Sequence, residues 1–298
     1  MKKLLYILMG GVLAVSCSTK DSPSPDFNVT VRSDSYQLGD TSFFYLTGNP
    51  YTLTFWAGDS THRYKYRHRT TAAGKPEMHF TSYRQGGNQN NSLQLMVSTD
   101  FPGVYDSASV YSPNTHWTDL TDKAKLSTGT TGTASGVIDL SEFLSGDRPI
   151  YIAYRYTGQK STVAQRTWTI QSFSVTNVTD EDKARMPVAA DVAAGAWAIV
   201  KMKNPAVQWV LSAASFKVTG GAANSDEAES WIISKPLRLN KAIPDVGVPI
   251  KKMSDNRLGT YFSIYKTAGQ YTATFEAATT TVYDSKTAVQ SVDVNILP

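Results

Sequence analysis

The chain has 298 residues, a single cysteine, 11% aromatic residues and a formal net charge of only +4 at neutral pH. So weak a positive balance leaves no electrostatic footprint for nucleic acid. One cysteine excludes a disulfide scaffold, so the fold must be held by apolar cores, of which a chain this long can bury one or two.

The first element is a targeting segment. Lys2 and Lys3 precede the apolar run LLYILMGGVLAV (4–15), which is too short to span a bilayer, and Ser16 and Cys17 follow where cleavage is expected. STKDSPSPDF (18–27) reads as a polar, proline-stiffened tether. Beyond it almost everything is strand-like. FNVTVRS (27–33), TSFFYLTG (41–48), YTLTFWAGD (51–59), SLQLMVSTDF (92–101), PIYIAYRY (149–156), TWTIQSFSVTN (167–177), SWIISKPLRL (230–239), KTAGQYTATFEA (266–277) and VQSVDVNI (289–296) carry β-branched or aromatic residues at period two between turn formers. The one helix-friendly piece, TDEDKARMPVAADVAAG (179–195), is interrupted by Pro187. Short strands without a βαβ rhythm predict an all-β protein of sandwiches or jelly rolls.

HRYKYRHRT (62–70) alternates Arg63, Lys65, Arg67 and Arg69 with Tyr64, Tyr66 and His68. A strand with a cationic solvent face explains it; a strip for anionic polysaccharide or lipid headgroups is the sharper reading. Of the tryptophans, Trp56, Trp168 and Trp231 read as core, and Trp197 and Trp209 as core or edge. Trp117 ends a turn-rich loop, FPGVYDSASVYSPNTHW (101–117), that also carries Tyr105 and Tyr111. Flat rings of this kind cover the apolar faces of sugars, although such a loop can also fold onto its own sandwich. YRQGGNQNN (83–91) offers Asn88, Gln89 and Asn90 as amide partners for hydroxyls.

Hydrolytic, P-loop and dinucleotide motifs are absent, and the four histidines show no metal-ligand spacing. DED (180–182) and DEAE (226–229) read as solvated turns. Asp226, Glu227 and Asp100 could join loop carbonyls around a structural calcium; no other cofactor is expected.

Several of these segments resemble known families. LAVSC (13–17) resembles a bacterial lipobox, which implies lipidation at Cys17. Residues 36–59, with Phe55, Trp56, Gly58 and Asp59, resemble the opening half of a polycystic-kidney-disease-type immunoglobulin-like domain. Tyr265, Gly269, Tyr271, Ala273 and Phe275 resemble its closing half. Residues 26–66 with 246–298 would then form one immunoglobulin-like sandwich, split by an inserted domain over 67–245. The order of segments in the insert resembles a galactose-binding-like jelly roll, with AESWIISKPLRLN (228–240), a strand that usually opens such domains, displaced to the end, as in a circular permutation. The whole resembles a lipoprotein family of the Bacteroidetes with a domain of unknown function, found among polysaccharide-utilisation proteins. The resemblance implies a signal peptide over 1–16, a lipidated tether over 17–25, and an outer-membrane, lipid-anchored place at the cell surface. The expected function is non-catalytic glycan binding in support of an outer-membrane transport complex. Rivals are an adhesion or assembly lipoprotein docking protein partners, and a polysaccharide hydrolase.

Overall fold

A computed structural model describes residues 22–298. The expected signal peptide, Cys17 and the start of the expected tether lie outside the described residues. The protein is nearly all β, built from several sheets arranged as sandwiches, with one four-residue α-helix among the described residues, at Ser107–Val110. Among the described residues no helix is long and apolar enough to cross a membrane. The chain divides into two compact units: one runs to Lys65 and resumes over Val246–Pro298, and the other is Tyr66–Asp245.

The first unit sets a three-stranded sheet against a five-stranded one. The former orders Phe27–Val31, Thr41–Gly48 and Thr260–Ile264. The latter orders Val248–Lys251, Thr52–Trp56, Gly269–Thr280, Ser285–Leu297 and Ser35–Gln37. Period-two patterning does what it should: Ala273, Phe275 and Ala277 are completely buried, and Phe275 meets Phe44 and Phe55 at ring distances of 5.3 and 5.0 Å. Gly58 is required where the strand ends. Its φ is +85°, and a Cβ there would stand 2.6 Å from the Thr272 carbonyl oxygen. The tether is not a free spacer over its whole length. Ser22 and Pro25 are buried, because Ser22 Oγ bonds Thr281 Oγ1 (3.0 Å) and donates to the Asp284 carbonyl (3.1 Å).

The second unit packs a five-stranded and a seven-stranded sheet around Phe80, Tyr154, Trp168, Ile170, Trp209 and Phe216. One, the Arg155 sheet, orders Ala198–Lys203, Ala228–Ile233, Tyr151–Gly158, Leu93–Ser98 and Thr118–Asp119. The facing sheet is built on the long pair Gly74–Gln85 and Thr167–Thr179. The segment 179–195 is no helix: Arg185–Ala189 forms a strand paired to Val175–Val178, with Pro187 tolerated in it, and only Ala193–Gly195 makes a short turn of 3₁₀ helix. Trp197 and Trp209 are both buried.

Residues 62–70 are not a strand, so their charges do not share a face. Tyr64–Tyr66 is a 3₁₀ turn, Arg63 is buried, and Arg69 pairs with the fully buried Asp245 carboxylate at 2.5 Å. None of Arg63, Lys65, Arg67 and Arg69 is without a partner, which removes the basis for an open basic strip. Alternating charge and aromatics here serve a tight chain crossing rather than a pleated surface.

Candidate functional site

The strand Ala228–Ile233 is buried at all six positions. In an antiparallel sandwich that requires a cover on both faces, and the second cover is the loop 99–117. The loop is stitched shut at its base: Ser98 Oγ bonds Asp100 Oδ1 at 2.9 Å, and the two Asp100 carboxylate oxygens take the His116 backbone N–H (2.8 Å) and bond Nδ1 (2.6 Å). Burial raises the Asp100 pKa, but these hydrogen bonds outweigh it and the net shift is downward. Inside the loop Asp106 caps the helical turn by accepting from the Ser109 N–H at 2.7 Å, and Tyr111 emerges at the turn's C-terminal end.

The expected aromatic residues all land on the outer face of the Arg155 sheet, with unequal roles. Tyr105 packs edge-on against Phe101 at 5.7 Å and its hydroxyl donates to the Ser234 carbonyl. Trp117 is half-buried between Phe101 (5.4 Å) and Trp231 (5.2 Å), with Nε1 donating to the Val110 carbonyl at 3.1 Å. Those two rings hold the loop down. Tyr111 instead stands 55% exposed, its ring edge-on to Trp231 at 6.2 Å.

Beneath Tyr111 lies a polar chain. One rung of the sheet reads Val200, Trp231, Arg155, Gln94. Glu229, two residues from Trp231 on the same face, uses one carboxylate oxygen as a hub. Oε1 accepts from Arg155 Nε (2.8 Å), Trp231 Nε1 (3.0 Å) and the Tyr111 hydroxyl. The chain continues from Arg155 Nη1 to Gln94 Oε1 (3.0 Å) and from Gln94 Nε2 to Asp119 Oδ2 (2.8 Å). Burial pushes the Glu229 pKa up, but hydrogen bonds from Tyr111, Trp231 and Arg155 and the guanidinium charge prevail, so its net shift is downward. Asp119 is balanced in the same way: burial raises it, and bonds from Thr121 and Gln94 lower it further. Tyr111 is raised, first by burial and then by Glu229, so its phenol stays protonated and donating.

The amide loop enters the sheet beside the polar chain, next to Gln94 and Thr157, and away from the base of the aromatic loop. Residues 86–92 lead into Leu93 and the aromatic loop leaves after Ser98, opposite ends of a strand roughly 17 Å long. Asn88 and Asn90 are exposed. The Gln89 side chain is a brace, donating to the Thr157 carbonyl (3.1 Å) and accepting from the Gln159 N–H (2.8 Å). The carboxylates considered for calcium are engaged separately: Asp100 with His116, Asp226 with Lys160 and Glu227 with Lys203. Among the described residues no group of three or more His, Cys, Asp or Glu side chains is placed to hold a metal ion. Elsewhere in this unit a groove of about 450 Å³ is lined by Lys235, Arg238 and Lys241 with Thr70 and Thr71.

Arg155, Glu229, Gln94, Asp119 and the outward place of Trp231 were not foreseen. A signal existed for Glu229: a carboxylate inside the apolar strand AESWII must find donors, since a charge is rarely buried unpaired.

A family of proteins defined by a domain of unknown function (DUF5017) matches residues 16–197, more than half of the chain, and the chain belongs to that family. No curated protein and no solved structure matches it. The matched stretch takes in the whole aromatic loop and ends at Trp197, before the strand that supplies Glu229 and Trp231.

Proposed function

We propose that the chain is a non-catalytic glycan-binding protein, with the outer face of the Arg155 sheet as its binding surface. The observation that carries this reading is Tyr111: a large, exposed ring whose hydroxyl is pinned by a buried, ionised carboxylate. An aromatic platform fixed before the ligand arrives loses little conformational freedom on binding. Around it Arg155, Gln94 and Asp119 offer donors and acceptors of the kind sugar hydroxyls use. Residues 83–91 add the exposed amides of Asn88 and Asn90, on the loop that enters the sheet beside Gln94.

Hydrolysis has less support. A general acid needs a pKa raised toward neutrality, and both carboxylates of this surface, Glu229 and Asp119, are lowered instead. In this reading the lipobox-like LAVSC carries lipid on Cys17, and the protein sits on the outer membrane and presents glycan to a transport complex. A protein-docking role draws on one specific feature: Tyr45, Phe262 and Ile264 stand exposed on the outer face of the three-stranded sheet of the first unit.

The test is retention of the mature chain on a panel of immobilised plant, host and microbial polysaccharides, alongside Tyr111→Ala and Phe262→Ser. Retention of the native chain and the Phe262→Ser variant, with loss for Tyr111→Ala, supports the proposal. Failure of the folded chain to bind any glycan refutes it and turns attention to the Phe262 face.

A further inference from the structure

One end of the first unit carries apolar side chains that its own fold leaves in water. Strand register defines that end. Phe27 pairs with Gly48, Thr52 with Ala278 and Leu53 with Lys251, and the hairpin closes between Thr280 and Ser285. The chain's entry at residues 22–26, the turn at 49–51, the loop after Lys251 and the hairpin tip at 281–284 therefore crowd together. There Val282 is 90% exposed, Tyr283 72% and Met253 67%, and Tyr51 is exposed beside them. Lys252 is exposed on the same end and Lys286 is partly so. The tip's backbone is ordered by Thr281 Oγ1, which takes the N–H groups of Tyr283 and Asp284, both at 3.3 Å. Val282 and Tyr283 are thus held outward on a short turn rather than folded back onto the sheet.

Ser22 ties the N-terminal chain to this same tip, through Thr281 and Asp284. It lies five positions after Cys17 in the chain. Fully extended, five residues span at most about 17 Å. The polar headgroup layer of a bilayer takes up roughly 5–8 Å on each side. A lipid on Cys17 would therefore keep the hairpin tip within a short reach of the membrane surface whatever path the tether takes.

We propose that the Val282–Tyr283 tip, with Met253 and Tyr51 beside it, rests in the interfacial layer of the bilayer that anchors the chain. This rests on the lipid-anchored reading above. The chemistry suits the place: a tyrosine presents an apolar body with a polar tip, as interfacial aromatics do, and lysines at the margin favour anionic headgroups. Each contact is weak alone. The anchor makes the encounter intramolecular, so a weak surface is occupied without any large insertion. The first sandwich would then sit on the membrane by a fixed end instead of swinging freely on a tether.

The experiment uses the full chain purified with its lipid and reconstituted into vesicles of phosphatidylcholine with a minor share of phosphatidylglycerol. Two variants, Val282→Cys and Lys266→Cys, each carry an environment-sensitive fluorophore on the introduced thiol, Cys17 being consumed by the lipid. Val282 is 90% exposed, so its replacement leaves the core intact, and Lys266 precedes the far end of the twelve-residue strand Gly269–Thr280, about 36 Å away. The expected result is a blue-shifted label at 282, quenched at least twofold by nitroxide-bearing lipids, with the label at 266 unaffected. If the chain floats with the vesicles but both labels behave as in water, the tip contact is wrong and the anchor stands. If the chain does not float at all, the anchored reading fails first and the tip contact falls with it.

Discussion

Glu229 is the residue whose replacement tests the site's construction most sharply. Glu229→Gln keeps the shape and an acceptor oxygen but removes the charge from a hub that takes three donors. Charge-assisted hydrogen bonds contribute about 1.5–3 kcal/mol against about 0.5–1.5 for neutral ones, so the bonds from Tyr111 and Trp231 should each weaken by about 1 kcal/mol, while Arg155 keeps a charge-assisted bond but loses its counter-charge. The Arg155 side chain is 30% exposed and can recover part of its share from water, which leaves an expected loss of about 2 kcal/mol. Five of the six tryptophans lie in the second unit, so urea unfolding followed by indole fluorescence reports on it. The dependence on pH has a definite sign. The folded carboxyl lies below its ordinary value of 4.5, so its stabilisation is complete above that value and drains away as pH falls through the folded pKa. The gap between native and Glu229→Gln midpoints should accordingly close in acid. A loss under about 0.5 kcal/mol at neutral pH, or a gap that widens in acid, would refute the hub.

Other perturbations separate brace from platform. Gln89→Ala should cost about 1–2 kcal/mol, from its two bonds to the backbone at Thr157 and Gln159, while leaving glycan retention unchanged on the same resin. Asp245→Ala strips the carboxylate from the largely buried Arg69 guanidinium and should destabilise the second unit by about 3 kcal/mol in urea. Gly58→Ala forces a Cβ against the Thr272 carbonyl at a φ of +85° and should cost more than about 1 kcal/mol, read from the melting transition of the first unit through the buried Trp56.

Much of the fold was legible because period-two patterning is a local signal. Thr41–Gly48 is a strand over the eight residues its alternation marks, and Gly269–Thr280 extends the alternation seen from Tyr271 to Ala277. The long strand Gly74–Gln85 was harder to see, since Pro76 and Ser82 share the buried face with Met78 and Phe80 and dilute its apolar signal. Residues 62–70 mislead for the opposite reason: their alternation is strict, but a tight crossing held by Arg69 and Asp245 overrides it. At the site, the loop carrying Tyr105, Tyr111 and Trp117 announced itself through turn formers and rings. What distinguishes Tyr111 from its neighbours did not, because its partner Glu229 lies 118 residues away and only the strand order of the sheet brings them together. The DEAE segment misled in the same way: its last residue is no solvated turn but the buried hub.

The most direct test of the binding surface is calorimetric titration with oligosaccharides of whichever glycan the panel retains, comparing the native chain with Tyr111→Ala and Tyr111→Phe. Stacking on an aromatic ring contributes about 1–3 kcal/mol by analogy with base stacking, so Tyr111→Ala should weaken binding by about 5- to 150-fold. Tyr111→Phe keeps the ring and loses the pin to Glu229, and should fall between the two. Affinity unchanged in Tyr111→Ala, from a protein with native unfolding behaviour, would contradict the account and place the ligand elsewhere.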